Sequence, residues 1–434
     1  MGPQQSGSVL PRIWKPAVLL FTLALIVWRA PNLFAYPRIW AEEGAVYLSY
    51  AINHGWWQTL IASHQGYYSL WPNLATLMAA KLVPLHHAAV ITTLFAFLGQ
   101  LIPLALALWG KGRLWSRPAA KAALAGLILL TPATGEVWLN SINNQFFWAI
   151  SGVLLLTEDL SAAGPVRKWI YRGLLALCAL NTPLIAFMAP LFILRAVREK
   201  SGEAWVHAAL AVLAIVPQGL AFLATPAAAF EGAGGRLGKV DLPTIGLVLF
   251  NRTLVFPFAG RGAIRQLADY YQNWAGGDPL LYTVMGIVAL ALLAALLIWL
   301  SWGRGRKWLI GGAYAIIAPL TVFTAMTPTD WATKLPLAYP IIGERYFFAP
   351  AVFLMLLALA NVDSLRPGRS ARSAACAAAV ATVIIAGAFT FKPSLSDFND
   401  PRWPRWRNEV IYWEKGLQRE IRVWPPPWKL EPAK

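Results

Sequence analysis

Long apolar runs separated by short basic segments set the pattern of this chain. The clearest are PAVLLFTLALIVW from Pro16, AAVITTLFAFLGQLIPLALALW from Ala88, PLLYTVMGIVALALLAALLIWL from Pro279 and KWLIGGAYAIIAPLTVFTAM from Lys307. Several reach the roughly 20 residues that an α-helix needs to cross the hydrocarbon core. The pattern predicts an all-α polytopic membrane protein of about eleven spans. They fall near 16–35, 88–109, 119–134, 143–157, 170–181, 183–195, 204–224, 279–301, 307–326, 346–361 and 373–391. The first run continues into Trp28 and Arg29 with no small-residue cleavage site, so it reads as an uncleaved span and not as a removed signal peptide. Two segments depart from this rhythm. Residues 70–82 are too short to cross and read as an interfacial or half-inserted helix. Residues 170–195 carry Pro183, which removes a backbone donor; a pair of short helices fits better than one kinked span.

Composition sharpens this picture. Of 434 residues, 58% are hydrophobic and 13% charged, with 22 tryptophans, more apolar surface than a soluble domain of this length can bury. The formal charge of +17 is explained by topology and not by nucleic acid, because cytoplasmic loops collect Lys and Arg. With the N-terminus inside, the cytoplasmic segments 1–15, 110–121, 158–172, 195–203, 302–307 and 362–372 hold 18 of the 37 basic residues but 5 of the 20 acidic ones. The outer face then owns the loops 36–87, 225–278 and 327–345 and a polar tail, 392–434, with a short helix over 405–420 and an extended polyproline II run at VWPPPW. The two cysteines, Cys178 and Cys376, fall inside apolar runs and suggest neither a disulfide nor a zinc site. The Ala/Leu/Pro/Trp-rich composition suits a multi-pass protein of a bacterial inner membrane.

Chemistry therefore belongs outside, and the first outer loop opens on RIWAEEGAVYLSYA. Its pattern predicts a helix from about Ala41, and acidic residues in a first turn are favoured by the helix dipole. Yet acidic residues are scarce here, and Glu42 and Glu43 abut the membrane, where stranded charge is costly. Neighbouring helical residues point about 100° apart, so the two carboxylates cannot share one role. Trp40, Tyr47, Tyr50, Trp56, Trp57, Tyr67, Tyr68 and Trp71 surround the pair, together with His54 and His64. Most of these aromatics read as an interfacial belt.

A first span ending in an acidic pair, followed by an outer loop with short helices, resembles the membrane glycosyltransferases of the C-type fold. GYYSLWPNLATLMAAKLVPL, WLNSINNQFFWAI, LNTPLIAFMAPLFIL and GERYFFAPAVFLM resemble bacterial members of that superfamily and cover most of the chain in order, each as a loose pattern. The resemblance implies a polyprenyl-phosphate-linked sugar as donor and a cell-envelope glycan or lipid as acceptor. It also implies a catalytic acidic pair. Glu42 would be the base, and Glu43 would orient the acceptor, bind a divalent cation or cap the helix. The family often carries aspartate first where this chain has Glu42, which leaves the order of the two roles open.

A departing phosphate needs fixed positive charge. Arg345 in GERYFFAP is the leading candidate, because arginine forks onto phosphate oxygens; Arg261, Lys334 and Arg265 are weaker ones. Glu344, beside Arg345, would oppose a phosphate. The amides of EVWLNSINNQFFW, notably Asn140, Asn144 and Gln145 near Glu136 and Asn143, are groups that hydrogen-bond sugar hydroxyls or pair between helices; His64 and Tyr346 join them as candidate substrate contacts. Glu42, Arg345 and the Asn140–Gln145 cluster are expected to open onto one outer cavity. No ligand set for a metal is evident, and no cofactor is called for, although a divalent cation would be compatible with the acidic pair. The rival readings are a transporter or flippase of lipid-linked sugars, an O-antigen-type polymerase or ligase, and a purely structural assembly subunit. No inverted repeat of the kind transporters show is visible.

Overall fold

The computed structural model describes residues 10–132, 135–161, 163–225, 241–275, 278–303, 305–325, 343–362, 370–390 and 403–432. The protein is an α-helical membrane protein whose described strands form just two small antiparallel hairpins. Six helical stretches among the described residues are long and apolar enough to cross a membrane: Leu85–Trp109, Gly202–Ala224, Leu242–Leu267, Pro279–Ser301, Lys307–Ala325 and Ala371–Thr390. Leu10–Arg29, Pro118–Leu130, Asn144–Thr157, Pro165–Asn181, Leu184–Glu199 and Glu344–Leu359 are further helices of the bundle.

Asn144–Thr157 and Glu344–Leu359 form the centre of the bundle, with nearly every side chain buried, including Trp148, Phe147, Phe348 and Phe353. A helix hydrophobic all round belongs in such a position. The C-terminus of Asn144–Thr157 is closed by Arg195, itself 1% exposed, which donates to the carbonyls of Leu155 (3.0 Å), Leu156 (2.9 Å) and Glu158 (2.6 Å). A guanidinium there satisfies last-turn carbonyls that have no partner inside the helix. Close helix crossings rest on glycines. A Cβ on Gly286 would sit 2.3 Å from the Pro243 Cα, so Pro279–Ser301 and Leu242–Leu249 meet backbone to backbone.

The chain breaks at Thr182 and Pro183, giving the helices Pro165–Asn181 and Leu184–Glu199. The 70–82 segment is the 12-residue helix Leu70–Lys81. Three expectations need correction. The segment 225–278 is not simply an outer loop, because residues 242–267 make a span-length helical stretch. Its apolar signal is diluted by Asn251, Arg252 and Arg261; Arg252 is 1% exposed, its guanidinium 5.3 Å from the Phe347 ring, within a π-wound turn over Phe250–Val255. The VWPPPW run is not extended polyproline II. It is the turn of a hairpin pairing β3 (Ile421–Arg422) with β4 (Lys429–Leu430), with cis bonds at Trp424–Pro425 and Pro426–Pro427. The tail helix is Trp406–Glu414, shorter than expected because Gly416 takes a left-handed conformation just after it.

Candidate functional site

The acidic pair follows the short helix Pro31–Ala35, where the chain turns helical again at Ala41. Ala41 itself has φ +29, and Glu43–Leu48 winds as a π-helical turn. Such turns recur at functional sites because they re-aim side chains. Here they send Glu42 and Glu43 into different surroundings.

Glu43 is 1% exposed and points inward. One carboxylate oxygen accepts from the Ser141 backbone N–H at 2.8 Å and from the Ser141 hydroxyl, and the other accepts from the Trp40 N–H at 3.1 Å. Burial pushes its carboxyl above the ordinary value of 4.5, against the pull of the Ser141 and Trp40 hydrogen bonds and of Arg38. Glu43 thus brackets the acidic turn to the segment leading into Asn144–Thr157.

Glu42 faces a cavity of about 800 Å³, within the range of small-ligand sites. Its Oε2 is buried and makes no hydrogen bond, and its Oε1 lies 3.8 Å from an Arg345 guanidinium nitrogen. Arg345 reaches 3.6 Å to Glu136 on its other side, and it donates to the Tyr346 hydroxyl at 3.4 Å. Both ion-pair distances exceed hydrogen-bond length, so the guanidinium fork is held by charge rather than by saturated hydrogen bonds. Glu136 also accepts from the backbone N–H groups of Gly343 and Arg345, both at 3.3 Å. It caps the start of Glu344–Leu359, whose positive dipole end therefore lies beside Arg345.

The rest of the cavity divides by chemistry. Gln145, Asn143, Tyr346 and the hairpin residues Ser63, His64, Gln65 and Tyr67 supply uncharged polar groups. Leu184, Phe187, Leu320 and Phe323, from two helices of the bundle, supply an apolar wall next to Pro183 of the helix break. The hairpin pairs β1 (Ser63–His64) with β2 (Tyr67–Tyr68) through Gln65 and Gly66, both at positive φ, as a two-residue loop requires. Gln218 fixes it by accepting from the Tyr68 N–H and donating to the Tyr68 carbonyl. Burial, with His54 nearby, pushes the His64 imidazole down to about 4, so the ring is neutral at ordinary pH. It packs 4.4 Å from the Tyr47 ring.

Of the residues expected to share a site, Glu42, Arg345, Tyr346, Gln145 and His64 line this one cavity. The others are placed elsewhere. Arg261 is corrected as a phosphate ligand, because it pairs with the buried Glu344 at 3.1 and 3.3 Å. That pairing also relieves Arg345 of its acidic neighbour. Asn144 is fully buried and donates to the carbonyls of Phe95 (3.3 Å) and Ala96 (3.1 Å), pairing helices instead of facing a substrate. Asn140 donates to the Glu136 carbonyl at 2.7 Å and accepts from the Asn143 N–H, building the turn. Lys334 lies outside the described residues. Sequence reasoning gave no role to Ser141 or Gln65 and did not single out Glu136 as the holder of Arg345. The Gln65-Gly66 pair between Ser-His and Tyr-Tyr was the one readable hairpin signal.

Among the described residues, no three His, Cys, Asp or Glu side chains converge to hold a metal ion. No protein-family model, no curated protein and no solved structure matches the chain.

Proposed function

We propose that this protein is a membrane glycosyltransferase that moves a sugar from a polyprenyl-phosphate donor to a glycan or lipid acceptor on the outer side of a bacterial inner membrane. The observation that carries the reading is Glu42, with an unpartnered buried oxygen, beside Arg345 at 3.8 Å in a cavity that is polar on one wall and apolar on the other. A lipid-linked phosphosugar has this division: a prenyl chain for the apolar wall, a phosphate for the guanidinium, and hydroxyls for Gln145, Asn143 and His64. The fold that goes with the reading is of the C-type, with the acidic turn and the tail bonded to it on the outer face.

In the reaction, Glu42 takes the proton of the acceptor hydroxyl as that oxygen attacks the anomeric carbon. The bond from the anomeric carbon to the phosphate oxygen breaks, and its electron pair leaves with the phosphate. Negative charge grows there and is met by Arg345. Glu136 keeps the fork oriented. The neutral His64 can accept or donate to a sugar hydroxyl without adding charge. Glu43 takes no part in the bond changes.

The test is transfer by the full-length protein in vesicles, with synthetic polyprenyl-phosphate hexoses and pentoses as donors and membrane glycolipid extract as acceptor. Mass spectrometry should show a product heavier by one sugar together with free polyprenyl phosphate. Donor that crosses the bilayer unaltered would instead establish a transporter.

A further inference from the structure

The C-terminal segment returns to the acidic turn and binds it through main-chain groups. The Ala41 N–H donates to the Trp424 carbonyl at 2.5 Å, and the Trp424 N–H donates to the Ile39 carbonyl at 3.3 Å. These two bonds straddle Trp40, whose own N–H goes to Glu43. They grip the residue immediately before Glu42, the one held at positive φ. That conformation is unfavourable for a residue other than glycine, and persists where the surroundings over-determine it.

Side chains reinforce the grip. Val423 is 1% exposed and packs so closely on Gly44 that a Cβ there would lie 2.8 and 2.9 Å from its two methyls, and 2.9 Å from an Ile39 methyl. The Trp424 ring lies 5.5 Å from Trp403, and the Arg38 guanidinium sits 4.4 Å from Trp40 and 4.8 Å from Trp403. The tail is itself braced. Glu409 on the helix Trp406–Glu414 takes Arg422 at 3.0 and 2.7 Å, locking helix to hairpin. Trp406 then donates to the Leu85 carbonyl at 2.8 Å, tying the helix to the start of the span Leu85–Trp109.

The acidic turn is therefore held from two sides. Glu43 ties it inward to Ser141, and Trp424 ties it outward to the tail; Glu42 lies between the two attachments. We propose that residues 403–432 are a clamp that sets the direction of the Glu42 carboxylate, with Trp424 as its positioning residue. This role rests on the reading of Glu42 as the base, but the contact can be tested without it. None of residues 403–432 lines the cavity, so loosening the clamp should misplace the base and leave donor binding intact. A displacement near 1 Å at a reacting group can cost on the order of 100-fold in rate.

The experiment uses the full chain in detergent and in vesicles. Gly44→Ala wedges turn and tail apart, and Val423→Ala added to it removes the two Val423 methyls that the new Cβ meets, leaving only the Ile39 contact. Hydrogen exchange read by mass spectrometry should quicken about tenfold or more over residues 39–44 in the single variant, with the membrane helices unchanged. The double variant should recover at least about half of that change. In transfer, kcat should fall about 10- to 100-fold with KM within about twofold, and the double variant should again recover. Glu409→Gln, which frees Arg422 at a distance from the turn, should quicken the same amides and covers the case in which Gly44→Ala fails to insert. Unchanged exchange at 39–44 in both Gly44→Ala and Glu409→Gln would overturn the clamp. A raised KM with kcat intact, or no rescue by Val423→Ala, would overturn the positioning role. A wild-type protein that transfers nothing would refute the enzyme reading, while the exchange results would still decide the clamp.

Discussion

Replacing Glu43 with glutamine separates the two acidic residues, because Glu43 is a buried acceptor of three hydrogen bonds and not a cavity group. Glu43→Gln keeps the shape but supplies one acceptor oxygen. If that oxygen stays on Ser141, the amide nitrogen faces the Trp40 N–H, donor against donor. Losing a hydrogen bond to a charged group costs about 1.5–3 kcal/mol, and leaving the Trp40 N–H without an acceptor adds about 1–3 kcal/mol. Part is returned, because a buried amide is desolvated more cheaply than a buried carboxylate. The expected net loss is about 2–3 kcal/mol, a fall of roughly 2–3 °C in melting midpoint, read by tryptophan fluorescence in detergent. The pH dependence follows from the raised carboxyl of Glu43. Between 4.5 and its higher folded value, the folded state binds more protons than the unfolded one, so stability falls as pH rises. Glutamine lacks this slope. The gap between the two proteins should thus be widest near pH 4.5 and narrow as pH rises through the folded value. A Glu43→Gln protein that melts like wild type yet transfers no sugar would refute the bracket and give Glu43 a chemical role.

Three further outcomes follow from the same geometry. Arg345→Lys keeps the charge but loses the fork, so affinity for fluorescent polyprenyl phosphate should fall about tenfold, or 1.4 kcal/mol; unchanged binding would remove Arg345 from the phosphate site. Because burial pushes His64 down to about 4, the pH–rate profile of His64→Gln should keep the wild-type shape above about pH 5.5, and a lost inflection near neutrality would contradict its neutral state. Gly286→Ala drives a Cβ to 2.3 Å from the Pro243 backbone. It should destabilise the protein by about 1–3 kcal/mol, and an unshifted melting midpoint would show that the crossing is looser than described.

The helical membrane class was legible because burial in lipid demands long apolar runs, and those runs survive in the sequence. The break at Pro183 was legible for a local reason, its missing N–H. The helical stretch over 242–267 was not, because Asn251, Arg252 and Arg261 interrupt its hydropathy and are tolerated through buried contacts, such as Arg252 against Phe347 and Arg261 with Glu344. Within the candidate site, Glu42, Arg345, Gln145, His64 and Tyr346 were readable from residue type and position at membrane boundaries. The division between Glu42 and Glu43 was half readable. Helix geometry required them to diverge, but which one turned inward depended on Ser141, 98 residues further along the chain. Asn140 and Asn144 were indistinguishable from Asn143 and Gln145 by composition, and only packing assigned two to turns and helix pairing and two to the cavity. The clamp by Trp424 was hidden because its grip is made by main-chain groups, which carry no residue code.

The most direct test of Glu42 as the base is Glu42→Gln, with transfer and melting measured on the same preparation. Glu42→Gln keeps the shape and leaves Arg345 its contact with Glu136, while the 3.8 Å ion pair with Arg345 is lost, at about 1 kcal/mol or less for a partly exposed pair. Transfer should fall about 10²- to 10⁴-fold while the melting midpoint moves by only about 1 °C. Product formed at the wild-type rate by a correctly inserted Glu42→Gln protein would contradict the assignment.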